Sequence, residues 1–296
     1  STQAKTLFPY TTLFRSLARY RAHARSKLQK ILLHIGEISV ERIRPDDIVR
    51  VRDVIARKYA AGTVYVALAT LSTMFQWAVR RALAPRNPCR GVERPVPAQA
   101  LDFLSSAEVE RLLEGAAARA TDLKGRMLHV GAAVAVHTGL RKGELCGLRW
   151  TDLDLTTRRL TIARSYRTTP KSDKPRHLRL PARLVPILQE WRQHCPPSPD
   201  NVVLPVGKNE SKTGGCETMF GLRELLFELN LRDGPHPWHL LRHTFASHYV
   251  MSGGNLLALQ KILGHSDLKT TLIYAHLASD FLGDEMDRVS YAKRSP

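Results

Sequence analysis

Two periodicities divide this chain. Apolar residues recur at helical spacing in "PDDIVRVRDVIARKYA", as Ile48, Val51, Ile55 and Tyr59. They do so again in "AGTVYVALATLSTMFQWAVRRALA", as Leu68, Leu71, Phe75 and Val79. Pro45 with Asp46 and Asp47 suits the first turn of the earlier helix, where a missing N–H costs nothing and acids meet the positive end of the dipole. The second helix follows a break at Gly62, with Thr63 as its candidate N-cap. The proline-rich stretch "PRNPCRGVERPVPAQA" (residues 85–100) cannot continue a helix and reads as a linker. Beyond it, "LSSAEVERLLEGA" starts a new helix with Ser105 or Ser106 as cap. The period then drops to two: "RLTIARS" and "RHLRLP" alternate apolar and polar residues around a polar turn, the pattern of a β-hairpin. Helical patterning resumes from about Glu217. The expected fold is mainly α, with a small antiparallel β-sheet inside an α+β second domain of residues 101–296. A small all-α domain of residues 17–97 precedes it. No internal repeat or low-complexity tract interrupts this plan.

Residues 1–16 stand apart. "LFPYTTLFRS" (Leu7 to Ser16) resembles the conceptual translation of a sequencing-adapter oligonucleotide. They are read as an artefact, with the natural chain, N-terminally truncated, expected to begin near Leu17.

Charge adds what periodicity does not. The 296 residues hold 45 Lys and Arg against 27 Asp and Glu, a net of +18. Residues 17–97 alone hold 16 basic against 6 acidic side chains. A polyanion is the physical partner of such a surface, because neutralising phosphates releases condensed counterions. No stretch approaches the ~20 apolar residues of a membrane span. The four cysteines form no CxxC pair, so neither a zinc site nor a disulfide framework is indicated. A cytoplasmic protein that meets no membrane is expected.

The candidate chemistry sits in four short segments. "HTGLRKGELCGLRW" sets Arg141 and Glu144 three residues apart, and "WHLLRHTFASH" sets His239 and Arg242 at the same spacing, each pair on one helical face. "LGHSDLKTTLIYAHL" carries His265 and, nine residues on, Tyr274, with Ser266 or Asp267 as the cap of a helix that places Tyr274 about two turns along. Lys171, with Lys174 as its rival, lies in the turn of the hairpin. Singly, each is an ordinary surface or core residue. Together they are a kit for phosphoryl transfer without a metal. Arginine forks bind non-bridging phosphate oxygens bidentately and stay charged. A tyrosine hydroxyl attacks phosphorus if its proton has somewhere to go, and a lysine or histidine protonates the departing alkoxide.

These boxes, in the order Arg, Lys, His-x-x-Arg, His, Tyr, closely resemble the tyrosine recombinase, or phage integrase, family over about residues 102–280. "ATLSTMFQWAVRRALAPRNPCRGVERP" extends the likeness into that family's helical core-binding domain. The departures are Trp238 before His239 and Leu240 in a place the family often gives to an acid. The resemblance implies that Tyr274 attacks the scissile phosphate, giving a 3′-phosphotyrosine link and a free 5′-hydroxyl. It implies that Arg141 and Arg242 hold the phosphate, Lys171 protonates the leaving oxygen, His239 is the acid/base partner of Tyr274, and His265 adds a phosphate contact. Glu144 supports Arg141. No cofactor, ATP or metal is implied. The implied partners are double-stranded DNA at specific recombination sites, a homo-tetramer on two such sites, and accessory DNA-bending or directionality proteins. The implied setting is a bacterial or phage-encoded enzyme at the nucleoid. The segment after Tyr274, with Leu277, Phe281, Leu282 and Met286 at roughly helical spacing, is expected to dock on a neighbouring subunit. Two rival readings remain: DNA relaxation like that of a type IB topoisomerase, and a non-catalytic DNA-binding remnant.

Overall fold

The computed structural model describes residues 38–96, 101–165, 175–205, 221–231 and 236–278, with scattered positions between 26 and 36. Residues 1–16, the hairpin turn with Lys171 and Lys174, and the segment from 279 to 296 lie outside the described residues. The chain divides into two compact units between Ala100 and Leu101.

In the first unit, α1 (Pro45–Ala56) and α2 (Ala61–Arg80) pack on each other. Ile48, Val51 and Ile55 are fully buried, as are Val64, Leu68, Leu71 and Phe75, and helical positions Leu28, Ile31 and Ile35 close the same core. Two expectations shift. Tyr59 lies beyond the end of α1 and is exposed. Gly62 and Thr63 lie inside the first turn of α2, which Ala60 caps without a side-chain bond. The break between the helices is therefore at residues 57–60, and Gly62 costs the helix roughly 1 kcal/mol of propensity that burial offsets.

The second unit is built around α4 (Leu123–Thr138), which is buried along nearly its whole length and packs against α3 (Ser106–Ala118), α6 (Leu184–His194) and α8 (Pro237–Met251). Its small residues, Ala132, Ala133 and Ala135, let the neighbouring helices approach closely. Ser105 caps α3 in reciprocal bonds: its Oγ accepts from Glu108 N (3.3 Å) while Ser105 N donates to the Glu108 carboxylate (2.7 Å). The expected hairpin is present as β2 (Arg159–Ile162) and β3 (Arg176–Arg179), antiparallel with Ile162 opposite Arg176. A two-residue β1 (Leu153–Asp154), too short to leave a periodic signal, pairs with β2 and completes a three-stranded sheet. Leu160 and Ile162 point into the core. Among the described residues, short helices α5 (Lys142–Cys146), α7 (Leu222–Glu228), α9 (Leu256–Leu263) and α10 (Lys269–Leu272) follow, with 3₁₀ turns at Trp150–Asp152 and Ala275–Leu277.

Candidate active site

Two helix ends make the floor of the site. α4 stops at Gly139 (φ 64°) and α9 stops at Gly264 (φ 63°), both left-handed C-caps. A side chain is excluded at each. A Cβ on Gly139 would lie 2.5 Å from the Phe245 ring, and one on Gly264 would lie 2.8 Å from Nη1 of Arg176. Each glycine carbonyl accepts from an arginine. Arg242 Nη1 donates to Gly139 O (2.6 Å), and Arg141 Nη2 donates to Gly264 O (2.8 Å). The caps thus convert orphan helix carbonyls into anchors for the two guanidinium groups singled out from the sequence.

Arg141 stands at the N-cap of α5, and Glu144 reaches back to it. Glu144 Oε2 accepts from Arg141 N (2.9 Å) and Oε1 accepts from Arg141 Nη1 (3.0 Å). Glu144 is 3% exposed and carries a second partner. Arg176, on β3, donates from Nη1 and Nη2 to the two carboxylate oxygens (2.8 Å each) and from Nε to Ile262 O (2.8 Å). Burial alone would raise the Glu144 carboxyl. The Arg176 hydrogen bond and charge, then the Arg141 N–H and charge, outweigh it, and the carboxyl stays ionised below its ordinary range. Such a bidentate pair is the strong form of ionic contact.

Arg242 is 1% exposed, on α8. Its Nη2 donates both to Leu263 O (2.8 Å) and to Nε2 of His265 (2.9 Å). Burial, then the neighbouring Arg141 charge, push its pKa down to about 9, so it remains a cation at neutral pH. A guanidinium has no acceptor, so His265 presents an unprotonated Nε2 and its Nδ1–H donates to Thr271 Oγ1 (2.8 Å). Burial and then the charge of Arg242 push the His265 pKa down to about 4, in keeping with a neutral ring. His239, one helical turn before Arg242, is exposed as a residue while its ring is partly shielded from water. Its pKa is also pushed down to about 4, by the atoms crowding it and then by His243, Arg242, His236 and Arg141. Trp238 and Leu240, the two departures from the family pattern, are buried in the core of the second unit and turn away from this surface chemistry.

Tyr274 departs from expectation in its setting. Helix α10 is a single turn begun at Leu268, with no side-chain cap, and Tyr274 comes after it, at the entry to the 3₁₀ turn Ala275–Leu277. Asp267 does bond the first turn, accepting from Lys269 N (2.9 Å). The ring is 1% exposed, packed with Ala246, Val250, Leu259 and Leu263. Burial raises the phenol to about 12, against the lowering pull of Arg242. The hydroxyl lies 2.7 Å from Nδ1 of His243, not at His239.

The structure therefore gathers Arg141, Glu144, Arg242, His265 and Tyr274 into one basic cluster, with His239 beside it. Lys171 and Lys174 fall outside the described residues. Three members of the cluster were not anticipated. Arg176 opens the second strand of the hairpin, His243 follows His239 at i,i+4, and Thr271 lies three residues before Tyr274. Pairing His239 with Arg242 at i,i+3 hid the equally good i,i+4 partner. The arrangement sets anchored cations beside a phenol with a nitrogen acceptor. No group of three or more metal-ligating side chains occurs among the described residues.

Comparison with known proteins follows the same lines. Residues 102–280 match the model described as the phage integrase family. A tyrosine recombinase XerC of Xanthomonas axonopodis pv. citri (strain 306) is 31% identical over 236 residues, 78% of this chain and 72% of that protein. A tyrosine recombinase of Thermosipho africanus (strain TCF52B) is 27% identical over 277 residues, 88% of this chain and 92% of its own. In fold, the Tn1549 transposon integrase, solved in complex with a circular intermediate DNA, superposes with a TM-score of 0.74 at 21% identity, covering 93% of this chain and 95% of that one.

Proposed function

Since this chain belongs to the phage integrase family and is a tyrosine recombinase, an enzyme that cleaves and rejoins DNA at specific sites, we propose how its own residues divide that work. Tyr274 is the nucleophile. Its oxygen attacks the scissile phosphorus and the bond to the 5′-oxygen breaks, leaving a 3′-phosphotyrosine. Arg141 and Arg242 bind the non-bridging oxygens, where charge accumulates in the transition state. Each such preorganised donor is worth roughly 3 kcal/mol. His265 adds a third contact to the same phosphate once Nε2 leaves Arg242 and takes up a proton, because a phosphate oxygen can only accept. Lys171 delivers a proton to the leaving 5′-oxygen, and the family pattern puts His239 forward as the acid and base at the tyrosyl ester. Glu144 holds Arg141 in place. The ester conserves the energy of the phosphodiester, so the 5′-hydroxyl of a second strand attacks it without ATP. Fixed cations replace the charge a metal would supply.

The observation that supports this reading is the convergence of two arginines and His265 on the two glycine-capped helix ends, next to the Tyr274 hydroxyl. Strand exchange between two sites requires four such tyrosines, so a homo-tetramer on two DNA sites is proposed as the working assembly. DNA-bending or directionality proteins are proposed as accessory partners, and the bacterial nucleoid as the place of action. A duplex nicked near the cleavage point, which loses its 5′ fragment after attack, tests the chemistry. We expect the protein to be trapped on the 3′ end equally with and without EDTA. Loss of trapping in EDTA with recovery in magnesium would refute it.

A further inference from the structure

We propose that His243, in place of the His239 of the family pattern, is the base that takes the proton from Tyr274, a role that rests on Tyr274 being the nucleophile. The hydroxyl must lose a proton as the O–P bond forms. The group in contact with it is His243 Nδ1, at 2.7 Å. The two rings are tilted by 50° with centroids 5.8 Å apart, so they meet through this hydrogen bond and not as a face-to-face stack. Both partners are held from behind. His243 sits on α8 directly after Arg242, half-buried, and the edge of His239 meets its ring with centroids 4.5 Å apart. Tyr274 is buried against the same helix through Ala246 and Val250.

The charges around His243 keep its ring ready to accept. Burial, then the adjacent Arg242 cation, lower its pKa, and Asp102 from the segment before α3 pulls the other way. The net direction is downward, so the ring is neutral at physiological pH, and with Nε2 carrying the proton its Nδ1 receives the tyrosyl O–H. Among the described residues, His239 and Tyr274 also face it.

The step balances simply. Tyr274 Oη forms its bond to phosphorus and gives its proton to His243 Nδ1. The phosphorus releases the 5′-oxygen, which takes a proton from a separate acid, Lys171 in the reading above. In religation the imidazolium of His243 returns its proton to the departing phenolate. His239, exposed and edge-on to His243, is then free to contact the phosphate itself. The unusual burial of Tyr274 also acquires a reason. A phenol raised to about 12 is a poor nucleophile alone, and a hydrogen-bonded base beside it supplies what ionisation does not.

The test compares wild type with His243→Ala, His243→Asn and Tyr274→Phe on the nicked trapping duplex, at saturating DNA and across pH 6 to 9.5. Asparagine keeps a hydrogen-bond acceptor near the Nδ1 position but cannot take a proton. We expect both His243 variants to bind DNA within about threefold of wild type and to form the adduct about 100-fold more slowly at pH 7. Their rates should climb steadily to pH 9.5 as the phenol ionises unaided, while the wild-type rate levels off once His243 is neutral. Added imidazole should accelerate His243→Ala. An asparagine variant that cleaves at the wild-type rate with the wild-type pH profile overturns the assignment. If the alanine variant does not bind DNA, the asparagine variant alone decides. Trapping by Tyr274→Phe would instead sink the reading of Tyr274 beneath it, so the two failures are told apart.

Discussion

Glu144 is a single carboxylate between two guanidinium groups, 3% exposed, and both of its oxygens are taken. Removing it leaves the Arg141 and Arg176 charges facing each other in a poorly solvated place. Breaking such a buried pair by deleting one member costs about 3–5 kcal/mol. We expect Glu144→Ala to lower the denaturant midpoint by an amount of that order and to slow adduct formation more than it weakens DNA binding, because Arg141 loses its aim. A loss under about 1 kcal/mol, the value of an exposed pair, would mean the network is not structural. The same residue shows what sequence could and could not disclose. The Arg141–Glu144 pair was readable from i,i+3 spacing. Arg176 was not, because its partner is 32 positions away and only the return of β3 beside α5 and α9 brings them together. His243 was readable at i,i+4 from His239 but needed Tyr274, 31 positions on, to give it meaning.

At the level of elements, the site is held by the ends of helices. α4 and α9 each terminate in a left-handed glycine whose carbonyl receives an arginine, so the cap geometry sets where positive charge stands. Gly264→Ala should be costly twice. A left-handed L-residue costs about 1–2 kcal/mol, and its Cβ would press on an Arg176 guanidinium that Glu144 already pins. Gly253 is the internal control: it too has positive φ (80°), but nothing lies within 4 Å of its Cβ position. We expect Gly253→Ala and Gly264→Ala to lower the melting temperature, and only Gly264→Ala to reduce the trapping rate. Equal effects on trapping would mean that the α9 cap does not position the arginines. Long elements such as α1, α2 and α3 were legible because each repeats its apolar face over three turns or more. The helix expected to carry Tyr274 was not, because a four-residue helix has no period to read and the chain enters a 3₁₀ turn instead.

At the level of the molecule, charge is divided unevenly. Residues 17–97 hold 16 basic and 6 acidic side chains, whereas residues 101–296 hold 27 and 21. More than half of the net excess of +18 therefore sits in the smaller unit. No described helix is long and apolar enough to cross a membrane, and the basic surface of the first unit is suited to a phosphate backbone. Each phosphate neutralised on duplex DNA steepens the salt dependence of affinity by about 0.9 in log–log slope. We expect a chain of residues 101–296 to bind its site with a slope shallower by several such units than the full chain. Matching slopes would assign the backbone contacts to the catalytic unit alone.

The central claim is that one buried phenol, Tyr274, becomes the covalent link to DNA beside this arginine cluster. The most direct measurement is to trap the full chain on the nicked duplex, digest the adduct, and locate the nucleotide-bearing peptide by mass spectrometry. The account predicts the 3′-linked nucleotide on Tyr274. It also predicts no adduct from Tyr274→Phe, whose DNA affinity stays within a few-fold of wild type because the ring keeps its packing. A nucleotide found on any other residue, or an adduct formed by the phenylalanine variant, would contradict it.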